Sequence, residues 1–484
     1  MNKSLIISAV GGILILLAVA MLVPLAVAVY YGNDVDIRAF LYAVLITASV
    51  GGAMKSFFRP ARSELTIREG FVTVVSGWIV CVSFVALPYL ISGSINNISD
   101  AYFEAMSGLT TTGATVITDV ESLPRGIIFW RSMTQWLGGL GIIVFFLAFL
   151  PTTGLGTHHL FKMEIPGGPL ADRLHPRVAE TAKLLFVIYM SLSLLEFLLL
   201  SLGNMPIYDA ACHTFSSVST GGFSSKTASV SAYHSLYIEL VITVFMFLGA
   251  CNFVIYYQLA RGRIRPVLKN VELRFFVITL IVTITLLTAY LYTSGTLEDN
   301  SLKRVLRATV FQTVSITTTT GFTTEDFDAW PNFCRFLLLM MMFFGGCAGS
   351  TSGAAKHIRI LLLLKSTARE FVRLTTPRVI KHVKIYGTPV EEETITNTYG
   401  FFVLYMGLFG VCSLVLIGMG ADVETAISAV AANMGNVGPG LGQVGASMNY
   451  GGLDVIQKWT LIFCMLLGRL EIYSVILMFM LWRR

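Results

Sequence analysis

The sequence predicts an all-α polytopic membrane protein: two extra N-terminal helices, then four pseudo-symmetric helix–pore loop–helix repeats around one pore. Three observations predict it. Hydrophobic residues make up 55% of the 484 residues and charged ones only 13%, with a mean hydropathy of +0.73, whereas soluble domains carry roughly 25% charged residues. Four small-residue clusters end in a glycine, each one short amphipathic segment after a membrane-length apolar helix and each followed by another apolar helix. Each closing helix then carries a bulky apolar residue before a glycine: Leu137-Gly138, Leu248-Gly249, Phe344-Gly345 and Leu467-Gly468.

Residues 1–65 form the N-terminal pair, with helices expected over about 5–30 and 38–57. The apolar stretch Leu5 to Val29 follows Lys3. It is longer than the ~7–15 residues of a signal-peptide core and reads as an uncleaved first helix. The repeats occupy 66–150, 176–260, 261–364 and 393–484, with connectors at 151–175 and 365–392. An ordered recurrence of this kind dictates the architecture. The glycines of the closing helices follow the loop glycines by 25, 27, 24 and 30 residues; close helix packing also uses glycine in this way.

The loops read Ser107-Gly-Leu-Thr-Thr-Thr-Gly113, Ser216-Ser-Val-Ser-Thr-Gly-Gly222, Ser315-Ile-Thr-Thr-Thr-Thr-Gly321 and Ala432-Asn-Met-Gly-Asn-Val-Gly438. Each starts with a small residue six places before its glycine. Glycine takes backbone angles that can turn successive carbonyls towards an axis, and a carbonyl ring can replace a cation's hydration shell. The preceding half-helices, Ser99–Ser107, Pro206–Ser216, Leu302–Ser315 and Val423–Met434, are too short to cross a bilayer. Irregular backbone at that depth is tolerated only where it lines protein or water. Asp100 and Asp209 lie near half-helix starts, where carboxylates cap free N–H groups and favour the dipole.

Charge placement predicts sidedness. Lys55, Arg59, Arg62 and Arg68 join the N-terminal pair to repeat one; Arg261, Arg263, Arg265, Lys269 and Arg274 join repeats two and three. Arg369, Arg373, Arg378, Lys381 and Lys384 lie between repeats three and four. By the positive-inside rule these connectors are cytoplasmic, and so are both termini, with Lys3 at one and Arg483-Arg484 at the other. The glycine loops then open outwards, although Arg125, Arg131, Lys226, Lys303, Arg304 and Arg307 are basic residues near that face. The formal charge of +6 is accounted for by this distribution and does not indicate nucleic acid.

Several other chemistries are not supported. The seven cysteines are scattered singly, with no CxxC pair, as expected for small buried hydrophobes. His158 and His159 lack a third residue at ligand spacing. Gly438-Pro-Gly-Leu-Gly442 lacks the preceding strand of a dinucleotide loop. No Walker sequence or catalytic nucleophile constellation is visible, so the chain is not read as an enzyme, and any nucleotide regulation must reside in a partner.

The loops TTTGAT, STGGFS, TTTTGFTT and NVGPG, on four helix–loop–helix repeats, resemble the superfamily of potassium transporters that includes Trk, Ktr and HKT proteins. The extra helix pair and the length look like the Trk branch, and the resemblance covers nearly the whole chain. It implies four fused potassium-channel-like subunits around one pore in a bacterial inner membrane, and a homodimer with one pore per chain. It also implies a cytosolic nucleotide-binding regulatory subunit similar to TrkA. Potassium would be the transported ion, with no nucleotide bound by this chain. All four loops keep the family's glycine; some plant relatives that carry sodium have serine in the first.

Motif matching assigns the ion-facing carbonyls to Thr111, Thr112 and Gly113; Thr220, Gly221 and Gly222; Thr319, Thr320 and Gly321; and Asn436, Val437 and Gly438. The fourth loop departs most, having no threonine. The run Gly345-Gly-Cys-Ala-Gly-Ser-Thr-Ser-Gly353 interrupts the third closing helix, because each glycine there costs roughly 1 kcal/mol relative to alanine. The family has a gating intramembrane loop at this place, which makes Gly345, Gly346, Gly349 and Gly353 gate candidates. Arg469 stands where the other repeats have Gly139, Ala250 and Gly346. It either faces the pore or forms an ion pair with Glu471 or Glu196, since charges inside a membrane face the bundle interior or a wet cavity. The functional expectation is potassium uptake through the loops. The alternatives are a symporter coupling potassium to protons or sodium, and a non-conducting membrane scaffold or sensor.

Overall fold

A computed structural model of the chain describes residues 1–58, 66–149, 178–297, 301–376, 382–385 and 388–470, with 472, 473, 475, 476 and 478. The 151–175 connector with His158 and His159, and residues Arg59, Arg62, Arg378, Lys381, Glu471, Arg483 and Arg484, lie outside the described residues. Among the described residues the chain is mostly helical, and six helices are long and apolar enough to cross a membrane. The seven cysteines are all free and buried.

Lys3–Ala20 and Leu22–Tyr30 continue one another as a 28-residue apolar span. The second helix, Asp34–Phe57, starts at Asn33, whose side chain accepts from the N–H groups of Val35 and Asp36. The two helices cross closely at Gly11 and Gly51: a Cβ on either would stand 2.8 Å from the other's carbonyl oxygen. Small residues permit such approaches in membranes. Asp36 is buried and accepts from the Gly126 N–H at 2.9 Å, which ties this pair to repeat one.

The opening helices of the repeats are Ile67–Val85, Val178–Leu202, Val271–Ser294 and Glu392–Gly418. Thr66 and Glu69 form a capping box at the first. The pore helices are Ile98–Leu109, Ile207–Val218, Leu302–Thr317 and Val423–Met434, within two residues of the expected half-helices at either end. Asp100 and Asp209 do not cap them. Asn97 caps the first, and Pro206 starts the second without a side-chain cap. Both aspartates occupy the third helical position, whose own N–H is one that a cap would serve. Asp100 instead lies 2.6 Å from the Lys458 ammonium, and Asp209 accepts from the Ser225 hydroxyl at 2.7 Å.

Three of the four closing helices are interrupted. Arg125–Phe149 breaks at Gly141, with φ 36° and ψ −113°. Leu236–Ala250 and Phe253–Ala260 meet at 98°, with Asn252 capping the second piece. Asn332–Met341 ends well before His357–Thr375 begins, and 342–356 between them is not helical. The fourth is Val455–Leu470. Three of the closing-helix glycines share one packing role. A Cβ on Gly138, Gly249 or Gly468 would press within 3.0 Å of the last carbonyl of its own pore helix, on Leu109, Val218 or Met434. Gly345 departs: it takes φ +70° and packs on Gly353, because its helix has already ended.

Candidate functional site

Each pore helix delivers its loop with the same hydrogen bond. The N–H groups of Thr112, Gly221, Thr320 and Val437 donate to the carbonyls of Ser107, Ser216, Ser315 and Ala432, at 2.9, 2.7, 2.9 and 2.7 Å. These acceptors are the small residues six places before the glycines. In a trans peptide the carbonyl points opposite to the N–H, so the carbonyls of Thr111, Thr220, Thr319 and Asn436 point away from the pore helices. The backbone repeats as well. Those four residues have φ of 53°, 53°, 61° and 53°, and Gly113, Gly222, Gly321 and Gly438 have 83°, 81°, 83° and 101°. A β-branched residue at positive φ is a genuine outlier, and strain of ~1–3 kcal/mol persists only where the surroundings over-determine it.

The glycines close the loops into a ring. A Cβ on Gly113 would strike the Gly221 carbonyl oxygen, one on Gly222 that of Thr320, one on Gly321 that of Val437, and one on Gly438 that of Thr112. All four separations fall inside 3.0 Å, a distance real Cβ atoms essentially never show. The order runs from repeat one through two, three and four and back to one. All four glycines also line one cavity, with Thr115, Phe223, Thr323, Pro439 and Tyr450 around them. The predicted carbonyl residues are thus brought together around the ring, and the last glycine of each loop faces the cavity. Two of their carbonyls hold protein donors: Gly221 accepts from Gln135 at 2.6 Å and Gly438 from Tyr450 at 2.7 Å.

On the other side of the loops lies the 342–356 segment. Its Thr351 hydroxyl is 3.2 Å from the Thr220 hydroxyl, and the Gly353 N–H donates to the Thr319 hydroxyl at 2.8 Å. Gly353 also packs against Gly435 and Asn436. Arg469 completes the set by donating to Thr111 Oγ1 at 3.1 Å, to the Thr351 carbonyl at 2.6 Å and to the Gly138 carbonyl at 2.7 Å. The strained residue of every loop is therefore in contact with this segment or with Arg469. Gly345 and Gly349 take φ of 70° and 73°, and Gly346 packs against Ala250 and Ser352. Lys356, also buried, donates to the Ser352 carbonyl.

Several supporting residues were not visible in the sequence. Glu104 and Arg131 form a fully buried ion pair at 2.7 Å. Glu104 also accepts from the Thr115 hydroxyl and the Val116 N–H, and the Arg131 guanidinium lies 4.2 Å from the Phe223 ring. The pair holds the first two loops from behind. Arg131 was legible only as a basic residue near the outer face, and nothing in the sequence pointed to Glu104 as its partner. At the mouth, Asp422 caps the fourth pore helix, and the N–H of Thr425 holds its carboxyl below the ordinary aspartate range. We predict that Arg131→Ala destabilises the protein by about 3–5 kcal/mol, since it leaves a buried carboxylate unpaired. Thermal unfolding of the purified protein reads this directly; an unchanged midpoint would refute it.

The matching of the chain to known proteins agrees with this geometry. A family model, TrkH, described as a cation transport protein, matches residues 36–482. The Trk system potassium uptake protein TrkH of Vibrio parahaemolyticus is 41% identical, over 98% of this chain and 97% of its own length. The Escherichia coli protein of the same name is 39% identical, over 97% of each. The crystal structure of the potassium transporter TrkH from Vibrio parahaemolyticus matches with a TM-score of 0.88 at 39% identity, covering 98% of both chains. A closed ring of four glycine loops on a mostly helical membrane fold, together with these relatives, means that the chain belongs to the TrkH family of cation transport proteins.

Proposed function

We propose that this chain takes up potassium through a filter lined by the carbonyls of Thr111–Gly113, Thr220–Gly222, Thr319–Gly321 and Asn436–Gly438. The observation that carries the proposal is the cyclic contact of each glycine with the next repeat's carbonyl residue. A ring held at fixed size can replace the hydration shell of one cation better than another's. The relatives' names as potassium uptake proteins support the choice of ion. The membrane potential would draw the ion in, at about 2.3 kcal/mol per charge per 100 mV. The segment around Gly345, Gly346, Gly349 and Gly353, with Arg469, is the gate in this reading, supported by its contacts with all four loops.

The setting is a bacterial inner membrane with both termini cytoplasmic, supported by the Lys and Arg distribution. The family resemblance supports a homodimer and a cytosolic nucleotide-binding subunit similar to TrkA. Nothing in the site favours proton- or sodium-coupled symport or a non-conducting scaffold. The test is the reversal potential of the purified protein in liposomes, with potassium, sodium and pH gradients varied independently. We expect it to follow the potassium gradient. Tracking of the proton or sodium gradient would establish coupling, and no cation flux at all would establish the scaffold.

A further inference from the structure

Gln135 is fully buried in the closing helix of repeat one, and its amide reaches across to repeat two. Its Nε2 donates to the Gly221 carbonyl at 2.6 Å, and its Oε1 accepts from the Phe223 N–H at 2.9 Å. These two groups flank Gly222. A carbonyl only accepts and an N–H only donates, and a primary amide serves both at once whatever the pH.

The internal symmetry of the chain isolates this residue. Gln135 lies three places before Gly138; at the same distance from Gly249, Gly345 and Gly468 stand Met246, Met342 and Met465, all buried. Three repeats have a side chain there without a strong donor or acceptor, and one has an amide. The loop facing that amide is also the exception. Before the selectivity glycine, the other loops have Thr112, Thr320 and Val437, but the second has Gly221. A Cβ on Gly221 would stand 2.5 Å from the Gln135 amide carbon. The two departures from fourfold symmetry thus occur together and in contact.

We infer that Gln135 is a positioning residue that fixes the second quadrant of the filter and so sets its discrimination between potassium and sodium. It holds the Gly221 carbonyl by a donated hydrogen bond and anchors the peptide after Gly222, which leaves that quadrant less free to close on a smaller ion. This inference rests on the potassium-filter reading above.

The test compares the full-length wild type with Gln135→Met and Gln135→Glu in liposomes. The methionine restores what the other repeats carry and lacks both polar functions. The glutamate keeps the shape but, ionised, turns a lone pair on the Gly221 carbonyl. Both variants are expected to lower the potassium-to-sodium permeability ratio by about tenfold, equivalent to about 1.4 kcal/mol, while potassium flux persists. An unchanged ratio in monodisperse Gln135→Met overturns the inference, even if its unfolding midpoint falls, and so does an unchanged ratio in Gln135→Glu at a pH high enough to ionise it. Loss of monodisperse protein in both variants assigns Gln135 to folding and overturns it as well. A wild type without potassium selectivity would instead overturn the filter reading itself, in the unmutated chain, and this inference with it.

Discussion

Gly222→Ala is expected to destroy ion discrimination while leaving the helices inserted. The added Cβ would collide with the Thr320 carbonyl oxygen of the next repeat, well inside 3.0 Å. The oxygen belongs to the backbone and the position of a Cβ is fixed by it, so neither can swing aside as the end of a flexible side chain would. Gly222 also holds φ at 81°, a region that costs an L-residue roughly 1–2 kcal/mol. The carbonyl must move, and the ring must open on that side. We expect the potassium-to-sodium permeability ratio to fall by about a hundredfold, equivalent to roughly 3 kcal/mol. Gly113→Ser and Gly321→Ser should act in the same direction, by the same contact with Gly221 and Val437. Gly407→Ala is the control: a Cβ there meets nothing within 4 Å. Reversal potentials in mixed potassium and sodium gradients decide the matter, and an unaltered ratio in Gly222→Ala would remove the filter assignment.

Arg469→Ala is expected to raise potassium flux without a regulatory subunit. The guanidinium lies between the Thr111 hydroxyl and the Thr351 carbonyl, on the side of the loops where 342–356 is packed. In the proposed filter reading, a dehydrated cation leaving the ring would meet this charge. At an effective dielectric constant near 20, like charges ~6 Å apart repel by roughly 3 kcal/mol, enough to slow passage by about a hundredfold. Removing the side chain also frees the Thr351 carbonyl from a charged hydrogen bond worth about 1.5–3 kcal/mol, which loosens the segment. Arg469→Lys separates the two effects, since it keeps the charge and loses the fork of donors. Flux should rise by about a hundredfold in the alanine variant and by much less in the lysine variant. Lower flux from well-folded Arg469→Ala would instead assign the arginine to bracing Thr111 and holding the passage open.

The fold was legible because its signals are local and repeated. An apolar stretch, a short half-helix and a small residue six places before a glycine each follow from neighbours in sequence. They placed the four pore helices to within two residues. What was not legible depends on contacts between repeats. Gln135 has no local signal of its role, which depends on the second loop set against it. Glu104 and Arg131 are 27 residues apart, and nothing in their spacing announces a pair. Arg469 stood out by alignment with Gly139, Ala250 and Gly346, yet its contacts with Thr111 and Thr351 lie 358 and 118 residues back along the chain. The two aspartates were misread as caps because the rule for helix starts is blind to a one-turn error, and Asn97 was the true cap. The 98° bend after Ala250 had one local signal, Asn252, whose side chain starts the next helix.

The four sides of the ring belong to one polypeptide, and this alters what heredity can do with them. In a pore made of four identical chains, a single codon change falls on every side at once. Here it falls on one. A glutamine can therefore stand beside a single loop, and one closing helix can give way to a glycine-rich segment, without the same change on the other three sides. Duplication followed by fusion converts a symmetric opening into four independently inherited parts, on which division of labour can accumulate one residue at a time.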